Sequence, residues 1–209
     1  MLKNLPMFGL AMGWIGVLAV GTAISATYEN KPGDPASAPA IAISTDGVEP
    51  AKSSKATFHI IMFVHPKCPC TRASMAELRN LMEKFPDLKA TVFFYRPASE
   101  KTGWEKTEIW KMASSVKNID PQIDVDGQKA KSYRAVTSGQ VLLYDTSERL
   151  VFSGGITGAR GHVGENVGED MVAGVLAKRS SAIGKNFRAP VFGCRILTDG
   201  TELCISKKQ

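Results

Sequence analysis

Two cysteines stand one residue apart in "HPKCPCT", residues 65–71. The stretch follows an apolar run, "FHIIMFV", and opens a helical pattern, "TRASMAELRNLMEKF". Cys68 and Cys70 therefore fall where a strand hands over to a helix. A helix N-terminus carries unpaired N–H groups and a partial positive charge, and both stabilise a thiolate. With Lys67 and Arg72 adding charge nearby, Cys68 is expected to have a depressed pKa and to act as nucleophile or leaving group, with Cys70 as the resolving thiol. A Cys68–Cys70 disulfide would close a very small ring around Pro69, and such strain makes the bond easier to reduce.

The same atoms suit a soft metal. Two thiolates with His65 three residues earlier, or with His162 from the "ARGH" segment, are donors for Cu(I) or less readily Zn(II). Thiol–disulfide exchange is the primary expectation, with no cofactor. A copper-binding or copper-delivery module using Cys68, Cys70 and His65 or His162 is the alternative. An inert structural role for the pair, backbone bonding for His65, loop capping for His162 and simple solvation of Arg160 are the plainer readings.

Cys194 and Cys204 lie in "CRILTDGTELC", which reads as a hairpin around Asp199-Gly200. A three-residue loop sets the two cysteines opposite each other and permits a structural disulfide. A two-residue loop puts them out of register. Cys194 as the resolving partner of Cys68 is the other possibility.

The elements that must position these groups alternate. "TFHIIMFV" (57–64) and "KATVFFYR" (89–96) are near-continuous apolar runs, as in strands buried on both faces. Met75, Leu78, Leu81, Met82 and Phe85 recur at helical spacing until Pro86. Residues 104–116 read as a second helix and 127–136 as a weaker one. "QVLLYD" (140–145) and "LVFSGG" (150–155) read as a hairpin, and Val163, Val167, Met171 and Val175 as the stripe of a last helix. The order β-α-β-α-β-β-α predicts an α/β domain with a central sheet covered by helices on both faces.

That order resembles the thioredoxin fold, whose redox cysteines sit at the same strand–helix junction. The segments "HPKCPCT", "SGQVLLYD", "SGGITGARGH" and "APVFGC" further resemble a group of membrane-anchored bacterial thioredoxin-like proteins named RedB. The resemblance implies a central mixed sheet and a thiol–disulfide oxidoreductase acting on protein thiols and disulfides. It also implies that "ARGH", with Arg160 and His162, approaches the cysteines. Two departures stand out: the family's usual Cys-x-x-Cys is here Cys68-Pro69-Cys70, and Gly139 stands near the position of the family's cis-proline.

The chain is 209 residues long with 44% hydrophobic and 22% charged residues, enough for one packed domain plus attachments. Residues 7–26, "MFGLAMGWIGVLAVGTAISA", form an uncharged stretch long enough to cross a bilayer, and Lys3 before it favours a cytoplasmic N-terminus. A cleaved signal peptide is the rival. The expected organisation is a signal anchor (1–27), a flexible Pro/Ala/Ser linker (28–55), a thioredoxin-like domain (56–179) and a C-terminal extension (180–209). In a Gram-negative source the domain would be periplasmic, held to the inner membrane by a single pass. Net charge is +6 (26 − 20), with seven Lys/Arg in residues 178–209 against Asp199 and Glu202. No aromatic–basic interleaving accompanies them, so a solvated surface is expected and nucleic acid is not.

Overall fold

The computed structural model describes residues 5–34, 58–178 and 186–197. The first element, α1 (Leu5–Glu29), contains an uncharged stretch and exposes Leu10, Trp14, Val17, Leu18 and Ile24. Its segment Gly9–Glu29 has a mean hydropathy of 1.7 and is long and apolar enough to cross a membrane.

The domain follows as β1 (His59–Val64), α2 (Thr71–Lys84), β2 (Lys89–Arg96), α3 (Glu108–Ser115), β3 (Ile119–Val125), α4 (Gln128–Ser132), β4 (Gln140–Tyr144), β5 (Leu150–Gly154), α5 (Val167–Lys178) and β6 (Phe187–Arg188). These strands form one mixed sheet in the order β3-β2-β1-β4-β5-β6. Strand β1 runs parallel to β2 and antiparallel to β4, and β4 and β5 form the expected antiparallel pair. The central β2-β1-β4-β5 arrangement with α2, α3 and α5 is the thioredoxin fold.

Alternation along the strands divides the core in two. Ile60, Met62 and Val64 face Leu78, Leu81, Ile109 and Val172, so α2, α3 and α5 cover one side. Ile61 and Phe63 face the other side with Phe93, Tyr133, Leu142 and Ile196. That second side is closed by short α4 and by irregular chain, not by long helices. Strand β1, in the middle of the sheet, is buried throughout apart from its first position. Its last residue therefore delivers the Cys-Pro-Cys loop at the edge of a rigid core.

Several elements differ from the sequence reading. Strand β3, "IDPQIDV", was not expected, because Pro121 and two aspartates mask its pattern. It lies at the sheet edge, where a proline is tolerated. The helices expected over 104–116 and 127–136 shorten to α3 and α4. The last helix begins at Val167, because the Asn166 side chain accepts the Glu169 N–H at 2.8 Å and caps it. Its buried face is Gly168, Val172, Val175 and Leu176, so the Val163–Val167 end of the expected stripe is solvent-exposed.

The hairpin read across Cys194 and Cys204 runs beyond the described residues. Its first part instead bridges Arg195 to Thr137. Residues 28–34, read as the start of a tether, lie against the domain. The Gly33 N–H donates to the Val191 carbonyl at 2.7 Å, and Thr137 Oγ1 donates to the Asp34 carbonyl at 2.9 Å.

Candidate active site

The turn between β1 and α2 is built from backbone hydrogen bonds that begin before the helix proper. Cys68 N–H donates to the His65 carbonyl, Thr71 N–H to Cys68 and Ala73 N–H to Cys70. Cys70 occupies the N-cap position with helical dihedrals and no side-chain cap. The Thr71, Arg72 and Ala73 N–H groups are thus engaged by the carbonyls of Cys68, Pro69 and Cys70 rather than left unpaired as the sequence suggested, though the Thr71 backbone still favours the Cys68 thiolate.

Three sulfurs converge at this turn. Cys68, Cys70 and Cys194 have their Sγ atoms within 4.8 Å of one another, and all three residues are buried. Cys68 is wholly inaccessible, and Cys68 Sγ lies 2.7 Å from Cys194 Sγ. Cys68 and Cys70 are free thiols, whereas Cys194 is disulfide-bonded. Cys204, its candidate partner in the staple read from the sequence, lies outside the described residues.

The electrostatics separate the two free thiols. Cys68 is lowered to about 6, chiefly because Cys70 donates its S–H to it, helped by the Thr71 side chain and by the Cys194 and Thr71 backbones, and in spite of burial. Cys70 is pushed far above the ordinary thiol range, because its proton serves the Cys68 sulfur and because burial and the adjacent negative charge oppose its ionisation. Arg160, which hydrogen-bonds Cys70, pulls the other way. One nucleophile and one proton-bearing neighbour result.

The positive charges expected beside the cysteines distribute differently. Lys67 places its ammonium 4.1 Å from the centre of the Trp104 ring. Arg72 is exposed on α2, where its charge is felt by Glu108. Arg160 is the cation that reaches the sulfurs. It also donates to the carbonyl of Gly193, next to Cys194, and to Lys31 at 3.2 Å.

Neither histidine joins the sulfur group. His65 is buried, packed 5.6 Å from Tyr95 and 5.7 Å from Trp104, and its Nδ1 accepts the Lys67 N–H at 3.2 Å. His162 is exposed, with Nδ1 2.9 Å from the Arg160 carbonyl and Nε2 3.9 Å from Glu29. Among the described residues, the one group of side chains able to hold a metal consists of the three cysteines. The donor set differs from the expected one: Cys194 stands where His65 or His162 was anticipated.

Some positioning residues had no individual signal in the sequence. Ser138 Oγ accepts the His65 N–H at 2.8 Å and lies 2.7 Å from Thr71 Oγ1, while its own N–H donates to the Cys194 carbonyl at 2.8 Å. It ties the cysteine loop, the start of α2 and the C-terminal segment together. The next residue, Gly139, has φ +92°, a left-handed conformation, and sits against Ser74. Its departure from the family's proline was legible, but its consequence was not. Glu77, buried on α2, accepts the Gly164 N–H at 2.6 Å and so anchors the loop that carries Arg160.

The fold is shared with solved proteins of low sequence similarity. An uncharacterised conserved protein from Geobacillus kaustophilus superposes with a TM-score of 0.56 at 19% identity, over 80% of this chain and 92% of that one. A hypothetical protein from Sinorhizobium meliloti gives 0.55 at 20% identity, over 80% and 94%. A putative thioredoxin from Neisseria meningitidis gives 0.47 at 12% identity, over 72% and 95%. No protein-family model matches the sequence, and no curated protein does.

Proposed function

We propose that this chain is a membrane-tethered thiol–disulfide oxidoreductase of the RedB-like kind, acting on protein thiols and disulfides outside the cytoplasm through Cys68-Pro69-Cys70. The observation that carries this reading is the convergence of the Cys68, Cys70 and Cys194 sulfurs within 4.8 Å of one another at the N-terminus of α2, where Cys68 is lowered and Cys70 raised. The Cys68 thiolate attacks a substrate disulfide, forms a mixed disulfide and expels one substrate thiolate. Cys70 then attacks the Cys68 sulfur, which releases the second substrate thiol and leaves a Cys68–Cys70 disulfide.

The proton on Cys70 suits this sequence. Once Cys68 is covalently bonded, its negative charge is gone. Two of the influences holding the Cys70 proton then vanish, and Arg160 remains to favour its thiolate. Cys70 is thereby activated only after the first step. Exchange of a test peptide disulfide checks the reading: Cys68→Ser should abolish it, and His162→Ala should change its rate only modestly. Exchange at the wild-type rate in Cys68→Ser would refute it.

The proposed placement rests on α1. Its uncharged span after Lys3 supports a cytoplasmic N-terminus and an extracytoplasmic, periplasmic domain at the inner membrane. The end of that helix bonds directly to the site, because the Arg160 N–H donates to the Glu29 carbonyl at 3.0 Å.

The three-sulfur cluster favours a second reading as a copper-binding or copper-delivery module. Thiolates select Cu(I), and Cys68, Cys70 and Cys194 would supply three of them once the Cys194 disulfide is reduced. Tight binding of one Cu(I) by a reduced domain that is inert toward disulfides would favour this reading.

A further inference from the structure

Resting on the oxidoreductase reading, we propose that Cys194 is a working sulfur of the same site, the internal exchange partner of Cys68. The two Sγ atoms are 2.7 Å apart across 126 residues of sequence. That separation lies between a disulfide bond of about 2.05 Å and ordinary non-bonded contact.

The approach is built from both sides of Cys194. Ser138 N–H donates to the Cys194 carbonyl, Ile196 N–H donates to Val136 at 3.0 Å, and Arg160 holds the Gly193 carbonyl. Gly193 itself packs so closely on the Ser138 carbonyl that a side chain there would collide with it. A disulfide serving only to staple the extension to itself has no need of this address. Here an oxidised sulfur is held against a reduced pair, which is the arrangement that exchange requires.

The chemistry balances without an outside reagent. The Cys68 thiolate attacks Cys194 Sγ, and the bond from Cys194 to its present disulfide partner breaks. That partner leaves as a thiolate and takes up a proton, while a Cys68–Cys194 disulfide forms. Cys70 next loses its proton and attacks Cys68 Sγ, which expels Cys194 as a thiolate that is protonated in turn. Two electrons pass from the Cys68/Cys70 dithiol to the Cys194 disulfide, and the reverse sequence returns them. The site is thus a relay that can hand electrons between the Cys68/Cys70 pair and the Cys194 disulfide.

Trypsin separates the sulfurs conveniently: Cys68 and Cys70 fall in residues 68–72, Cys194 in 189–195 and Cys204 in 196–207. The full-length protein in detergent, wild type and Cys70→Ser, is equilibrated in glutathione buffers of graded ratio, acid-quenched, alkylated and mapped by mass spectrometry. The expected result is a 68–72/189–195 cross-link, a minor species in the wild type and the majority species in Cys70→Ser. If residues 189–195 remain joined to 196–207 in both proteins at every ratio that keeps Cys68 reduced, and no such cross-link forms, the relay is overturned. The two readings fail separately. Turnover of a test peptide disulfide without the cross-link removes the relay alone, whereas the cross-link without turnover removes the external substrate alone.

Discussion

The Arg160 guanidinium lies 5.0 Å from the centre of the Tyr28 ring, while the same side chain holds the Gly193 carbonyl and hydrogen-bonds Cys70. The last turn of α1 and the cysteine cluster therefore share one cation. Arg160→Gln keeps hydrogen-bonding capacity and removes the charge. It should slow resolution of the Cys68 mixed disulfide by roughly tenfold, the rate equivalent of losing about 1.4 kcal/mol from a charge-assisted hydrogen bond. First attack by Cys68, whose thiolate rests chiefly on the Cys70 S–H and on Thr71, should change little. Stopped-flow separation of the two phases decides this. Equal slowing of both would show that Arg160 merely holds the loop.

Alkylation of Cys68 should follow its lowered pKa, with the rate rising to a plateau above about pH 6. Since the Cys70 S–H is the largest cause of that lowering, Cys70→Ala should move the midpoint upward. The stability consequence has a definite sign. An unfolded thiol ionises near pH 8.5, so folding gains from the Cys68 thiolate between about pH 6 and that value, and loses the gain as pH falls through 6. Cys70 acts oppositely, because its folded pKa is raised: its contribution is lost above the unfolded value. Thermal melts of the protein with Cys68 and Cys70 reduced should show Tm rising from pH 6 to 8.5. Cys68→Ser should flatten that rise.

The segment joining α1 to the domain gives a third expectation. Forms beginning at Pro32 and at Ala36 both lack the apolar span of α1, but only the longer keeps the bonds from Gly33 and Asp34 to Val191 and Thr137 and the 3.4 Å Asp34–Arg195 pair. The exposed ion pair adds little. The shorter form should unfold at lower urea, by roughly 1–3 kcal/mol for two hydrogen bonds net of the ordering they require. Identical midpoints would show that these residues do not hold the domain.

Much of this was legible in the sequence because it depends on local pattern. The apolar runs at 57–64 and 89–96, the helical spacing after Thr71 and the position of the cysteines between them gave the strand–loop–helix unit. The hairpin of β4 and β5 likewise followed from two alternations and a polar turn. What escaped depended on packing between distant segments. Strand β3 hides behind Pro121, whose cost disappears only because the strand is at an edge. Cys194, weighed as a partner of either Cys204 or Cys68, is 126 residues from Cys68 and only the fold brings it to the site, while Ser138 is one serine among many that nothing local marks. His65 and His162 looked like ligands by spacing and by expected loop position. The ring packing of the first on Tyr95 and Trp104, and the exposure of the second, are tertiary outcomes.

Ser138 offers a fourth expectation at that tertiary level. Ser138→Ala leaves the buried His65 N–H without its acceptor and Thr71 Oγ1 without its neighbour. The cost should be about 1–3 kcal/mol in chemical denaturation. Alkylation of Cys68 should also accelerate as the loop loosens. A change below about 0.5 kcal/mol would mean that solvent replaces both bonds.

The identity of the sulfur that carries the covalent intermediate tests the central claim most directly. Full-length Cys70→Ser, reduced and then mixed with excess test peptide disulfide, is acid-quenched at millisecond intervals and mapped by mass. The account predicts that the peptide first appears on residues 68–72, at Cys68, with a rate that climbs with pH to a plateau above about 6. Peptide attached first at Cys194 or Cys204, or a protein inert toward the disulfide that instead binds one Cu(I) tightly, would contradict it.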